Sequence, residues 1–184
     1  MQTCNNNHVI KLKGCNYCNS LSTNQPPKNC ISHKCKYFLI SEQQIMGGSS
    51  AIIFLDNPTN NCTTMCIDSV SITNYNCKYI ETYIVNNLNS TMYNTRSLNI
   101  KSPNLGCLAN TAVKASYAIF NNHTAKCYLD TLSQRLQQPL CTNDMVSKDN
   151  KFIVPPGKSF ALLITSAEED INIGIDIRWE AICK

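Results

Sequence analysis

Histidine, long apolar runs and a recognisable export leader are scarce or missing in this sequence, and each shortage removes a class of function. Only His8, His33 and His123 occur among 184 residues. None has the spacing of a metallohydrolase motif or accompanies a nucleophile elbow, and His123 in "FNNHTAK" reads as a turn residue. The expectation is therefore no enzyme and no cofactor. The best apolar run is "FALLI", Phe160 to Ile164, far short of the ~20 residues that cross a bilayer, so no membrane partner is expected. A secretory leader needs an apolar stretch of about 7–15 residues after a basic start, whereas "MQTCNNNHVIKLKGC" offers Val9, Ile10 and Leu12 broken by lysines. No export signal is visible, and no internal repeat.

The amino-terminal stretch also lacks what nucleic acid asks for. Lys11, Lys13, Lys28, Lys34 and Lys36 stand unopposed before Glu42, so residues 1–41 carry +5 while the remainder sums to −1. Yet this basic stretch has no arginine, and Tyr17 is the single aromatic before β-like texture begins. A basic tail can meet nucleic acid, an anionic surface or an acidic patch on a sister subunit; phosphate clamps and base stacking favour Arg and interleaved aromatics, so nucleic acid is not the expected partner.

Cysteine, by contrast, is abundant: twelve residues in a chain long enough to bury a core without them. If Met1 is the natural start, such a protein is made in the cytoplasm and oxidised later, as in virions or the outer structures of spores; a removed leader would mimic this. The 24 asparagines, with many Ile and Lys, suggest an AT-rich genome. The three sequons, beginning at Asn61, Asn89 and Asn122, are about what so much Asn gives by chance.

Residues 1–36 are polar and aperiodic, stiffened by Pro26-Pro27, and read as a cysteine-rich connector arm. From 37 to 184 the texture is short apolar runs between Gly, Pro and Asn: "KYFLI", "AIIFL", "CIDSVSITN", "YIETYIV", "AVKASYAIF", "KFIV", "SFALLIT" and a last strand. That spacing predicts an all-β, jelly-roll-like antiparallel β-sandwich. In "INIGIDIRWEAIC" the residues Ile171, Ile173, Ile175, Ile177, Trp179, Ala181 and Cys183 alternate with polar ones, the period of a half-buried strand. Gly174 within it predicts a bulge or bend. Val113, Ala115, Tyr117 and Ile119 predict a second inward face, and Asn57-Pro58 and Pro155-Pro156-Gly157 predict corners. "DTLSQRLQQP" suits a two-turn helix capped by Asp130, with an edge strand as the competing assignment. Glu168-Glu169-Asp170 reads as a solvated acidic turn, not a calcium site, and Trp179 as core, with sugar stacking its lectin alternative.

Cys15-x2-Cys18 and Cys30-x4-Cys35 have the paired spacing of a zinc clip, with His33 as a substitute ligand, but the knuckles lack shaping glycines and aromatics. Disulfides would account for all twelve. Counting Cys4, Cys15, Cys18, Cys30 and Cys35 in the arm and Cys62, Cys66, Cys77, Cys107, Cys127, Cys141 and Cys183 in the body, both totals are odd, so complete pairing sends at least one arm cysteine to a body.

"DSVSITNY" and "FIVPPGKSFALLITS", followed by a Trp-bearing last strand and preceded by a cysteine-bearing arm, resemble the subunits of bacterial endospore appendages, the spore pili of low-GC spore formers. The resemblance implies a structural subunit that polymerises head-to-tail, with the arm forming disulfides to neighbouring sandwiches. By position, Cys4, Cys15 and Cys18 match the outreaching cysteines, and Cys183 and other body cysteines the acceptors. It implies an extracellular location on the spore surface, the chain itself as partner, and a spore-surface protein as anchor. The arm here is longer than the family's and has five cysteines where the family has a short pair. The alternative is a zinc-stabilised or disulfide-rich β-sandwich module that binds carbohydrate or protein.

Overall fold

A computed structural model describes residues 35–61, 63–85, 88–103, 112–120, 131–146, 151–166 and 169–183, with the side chains of Val146 and Cys183 outside that set. Eleven strands run in chain order: β1 (Cys35–Ile45), β2 (Ser50–Asn57), β3 (Thr63–Asn74), β4 (Ile80–Val85), β5 (Arg96–Leu98), β6 (Lys114–Phe120), β7 (Thr131–Gln137), β8 (Thr142–Val146), β9 (Phe152–Val154), β10 (Lys158–Thr165) and β11 (Ile171–Cys183). A 3-10 turn at Ser90–Met92 is capped by Asn89, whose side chain accepts from the Thr91 amide.

The strands form two antiparallel sheets. One has the order β1-β11-β3-β8, with β9 also on β3; the other has β5-β6-β2-β10-β4-β7. With β5, β6 and the short β9 set aside, consecutive strands alternate between β1-β11-β3-β8 and β2-β10-β4-β7 except at the β4–β7 pair, which stays in one sheet, as in a jelly-roll-like double Greek key. The expected all-β sandwich is thus what forms.

The period-2 reading of the last strand holds in detail. Ile171, Ile173, Ile175, Ile177, Trp179 and Ala181 are all buried, and the Trp179 ring stacks on Tyr37 at 5.7 Å between centroids. Trp179 is core, which removes it as a sugar platform. β3 presents Met65 and Ile67, then Val70 and Ile72, to the same core. Its phase changes because Ser69 pairs with Arg178 while Ile67 pairs with Trp179, leaving Asp68 as an extra residue. The bulge expected at Gly174 is not there: the extra residue is Asp68 of the partner strand, opposite the Arg178–Trp179 step, and Gly174 itself pairs regularly with Thr73 and Glu42. Its missing Cβ makes room for Tyr75, whose hydroxyl would lie 2.8 Å from a Cβ there.

The "AIIFL" and "FALLI" runs do not alternate because their sheet is covered on both faces. Ile53, Leu55, Leu162 and Ile164 face the central core. Ile52, Phe54, Ala161 and Leu163 face a second cluster, closed by Leu88, Tyr93 and Phe120 from outside. Tyr93 lies between Phe54 and Phe120 at 5.4 and 5.6 Å. Ala118 of β6 is also buried, and Ile119 is largely exposed, so the inward set predicted for that strand holds only through Tyr117, which is half-buried.

Two further assignments change. Thr131–Gln137 is an edge strand paired with β4, so the helical reading of this segment is wrong: the sheet edge supplies main-chain partners that outweigh a short, isolated two-turn helix. β1 begins at Cys35, which pairs with Ala181. The sandwich therefore starts two residues before position 37, and Cys35 belongs to it. Four cysteines precede the sandwich and eight follow from β1 onward; both are even, and full pairing no longer compels a bridge between the two.

Candidate functional site

Sheet register gives the sandwich two distinct ends. At one, the chain enters through Cys35, opposite Ala181, and the same end holds the β2–β3 and β9–β10 corners. Ten residues on, about 33 Å along an extended strand, Ile45 faces Ile171. This far end carries the connections β1–β2, β3–β4, β7–β8 and β10–β11.

The corners at the entry end are tied by a buried asparagine. The Asn57 amide donates to the carbonyls of Thr63 (2.9 Å) and Val154 (3.0 Å), and its Oδ1 accepts from Asn61 at 2.6 Å. Gly157 turns there at φ +78°, where a Cβ would lie 2.9 Å from the Thr59 methyl.

Asn74 does the same work at the far end, with more connections. Its side chain is fully buried. Nδ2 donates to the carbonyls of Lys78 (2.7 Å) and Gln138 (3.2 Å), and Oδ1 accepts from the amide and side chain of Asn76, each at 3.0 Å. The Asn74 amide donates to the Cys141 carbonyl at 2.9 Å, and Leu140 N–H to the Asn76 carbonyl at 3.1 Å. Asn76 in turn exchanges bonds with the Asn172 backbone at 3.1 and 3.2 Å. Lys78 bonds Glu169, and Asp170 accepts from the Gly47 amide at 2.8 Å. Four connections are thereby laced into one framework. The acidic turn expected at 168–170 is structural where described, at Glu169 and Asp170; Glu168 lies outside the described residues.

Two cysteines stand on this framework. Cys77 and Cys141 are exposed, free thiols. Cys141 follows Leu140, a non-glycine residue held in the left-handed region at φ +50° directly after Pro139. Around them, Leu140 is 68% exposed, Met46 66%, Tyr79 58% and Tyr75 50%. Large apolar side chains gathered on loops at one end mark a contact surface better than scattered ones do.

The other sequence-selected cysteines divide plainly. Cys66 is buried on β3. Cys183 is the last residue of β11, opposite Thr63. Cys4, Cys15, Cys18, Cys30, Cys62, Cys107 and Cys127 lie outside the described residues, as do His8, His33 and His123. Of the candidate zinc set Cys15, Cys18, Cys30 and Cys35, only Cys35 is among the described residues, and it is disulfide-bonded. Among the described residues no group of three or more His, Cys, Asp or Glu could hold a metal ion, and no helix is long and apolar enough to cross a membrane.

One groove of about 290 Å³ opens between Val85, Leu132, Phe152, Val154 and Phe160, beside Lys158 and Ser159. The Ser159 hydroxyl is bonded to Asp56 at 2.5 Å. The walls are apolar with one ammonium, not an acid–base pair.

Sequence reasoning did not find Asn74, Leu140 or the exposed apolar end. Asn74 had one signal, an Asn closing an alternating strand at an inward position. Leu140 had another, the residue after a proline in a turn. Comparison with protein-family models, with curated proteins and with solved structures finds no match to this chain.

Proposed function

We propose that the chain is a structural subunit, without catalytic turnover, that assembles head-to-tail into a disulfide-cross-linked fibre. One observation carries this reading: the cysteine- and lysine-rich residues 1–34 join the sandwich at the end of β1 opposite the one where exposed Met46, Tyr75, Tyr79 and Leu140 collect. A connector leaving one end and a sticky surface at the other make a heterologous contact, which propagates as a ring or an open filament. Covalent bridges then turn dissociation into a chemical event. The resemblance to endospore appendage subunits supports an extracellular place on the spore surface, with the polymer as its own main partner.

Removing residues 1–34 tests it. The shortened chain folds, keeps its β-rich circular dichroism and stays monomeric, whereas the whole chain forms filaments by electron microscopy and a ladder on non-reducing denaturing gels. Filaments of unchanged form from the shortened chain would sink the proposal.

A further inference from the structure

We infer that the far end of the sandwich receives residues 1–34 of a second copy, and that Cys77 and Cys141 are the thiols that bond to it. This rests on the fibre reading and adds to it the receiving surface and its atoms. Three independent features converge there. Cys77 and Cys141 are exposed, unbridged thiols, one on each of two connections that Asn74 ties together. A rigid base limits the entropy lost when a partner docks. Exposed Met46, Tyr75, Tyr79 and Leu140 stand on the same set of connections and offer apolar anchorage.

The third feature is charge. Cys141 leads into β8, whose Thr142 is in register with Thr73, Gly174 and Glu42, and whose Asp144 is in register with Ser71, Asp176 and Ile40. The Thr142 row, the β10–β11 connection and the start of β4 place Glu42, Glu169, Asp170 and Glu81 at the thiol-bearing end, while Asp144 and Asp176 stand midway along the sheet that leads to it. Against them stand Lys78, bonded to Glu169, exposed Arg135 of β7, and Arg178, bonded to Asp176 at 2.7 Å. That carboxylate, by hydrogen bonding and then by its charge, raises the guanidinium pKa further above its ordinary value. Six acidic against three basic side chains complement a segment with Lys11, Lys13, Lys28 and Lys34 and no acidic residue. Opposite charges of this kind speed encounter and fix orientation more than they add affinity.

The bond-forming step balances with dissolved dioxygen as oxidant. One S–H of the receiving end and one of the incoming segment are broken, one S–S bond forms, and two electrons and two protons pass to dioxygen as hydrogen peroxide. A second bridge repeats the step. The incoming sulfur is one of Cys4, Cys15, Cys18 and Cys30.

The test uses the whole chain, grown once in ordinary and once in 15N medium, reduced, mixed in equal amounts and oxidised in air. Non-reduced peptide mapping should give bridges between a peptide containing Cys77 or Cys141 and one containing Cys4, Cys15, Cys18 or Cys30, in mixed-isotope pairs. Cys77→Ser/Cys141→Ser should keep the wild-type melting temperature under reductant and lose at least about tenfold of the reducible ladder. Raising salt from 0.05 to about 0.5 M should slow ladder formation several-fold, since the attraction is between exposed charges. Same-isotope pairs alone, or a double variant that ladders like wild type, overturn this assignment and leave the fibre reading standing. A wild-type chain with no reductant-sensitive ladder overturns both.

Discussion

Replacing Asn74 by Leu, a side chain of similar size, removes four side-chain hydrogen bonds at once: two donated to the Lys78 and Gln138 carbonyls and two accepted from Asn76. Each such bond contributes about 1 kcal/mol net, and partners left unpaired cost about 1–3 kcal/mol where water cannot reach them. The apolar replacement regains part of this because it no longer buries an amide. A net loss of about 3 kcal/mol follows, which for a chain of this size lowers the melting temperature by about 6–12 °C. Calorimetry of the whole chain under reductant reads that shift directly. Hydrogen exchange gives the local half of the prediction: the Leu140 amide, bonded to the Asn76 carbonyl, loses protection before those of β11. Asn74→Asp keeps the acceptor but buries a carboxylate oxygen against the Lys78 and Gln138 carbonyls, so at neutral pH it destabilises at least as much as Leu. A melting temperature for Asn74→Leu within about 1 °C of wild type would show that the far end is not organised through this side chain.

Trp179→Ala opens the space under Tyr37 and costs about 3–5 kcal/mol, read as a lower denaturant midpoint; in the wild type, this single buried indole emits to the blue of free tryptophan. Gly157→Ala combines a left-handed backbone with a 2.9 Å approach to Thr59, so it destabilises by about 1–3 kcal/mol, whereas the same change at half-buried Gly48, also at φ above zero, costs only the backbone share. Cys4→Ser, Cys15→Ser and Cys18→Ser together leave the melting temperature under reductant unchanged and make any polymer soluble in hot detergent without reductant. If that triple variant stays as resistant as wild type, and about one zinc per chain is found with thiols that titrate only after chelation, metal and not disulfide holds the segment.

Much of the sandwich was legible because strand burial writes itself into sequence with period 2. β11 shows this from Ile171 to Ala181, and every inward residue there is buried. Where burial is not one-sided the signal weakens. "AIIFL" and "FALLI" could be recognised as strands, but not the outer cluster of Phe54, Leu163, Leu88 and Tyr93 that explains their continuity. β7 and β8 are polar and short, so their strand character comes from neighbours that offer hydrogen bonds, and Leu132 and Leu136, spaced like a helix face, lie exposed on an edge.

The candidate site divides along the same line. Composition and local pattern were enough to determine an all-β body, a basic cysteine-rich segment before it and the absence of a histidine-based catalytic motif, since each depends only on residue type and near neighbours. The two ends are a different matter. Cys77 and Cys141 are 64 positions apart in sequence and stand on one framework only because β3 pairs with β8 while Asn74 reaches across to both turns. Whether Cys35 counts with the segment or with the sandwich, and which cysteines face water, were likewise decided by long-range strand pairing. No local spacing encodes it, because main-chain hydrogen bonds between strands are indifferent to how far apart in sequence their partners lie.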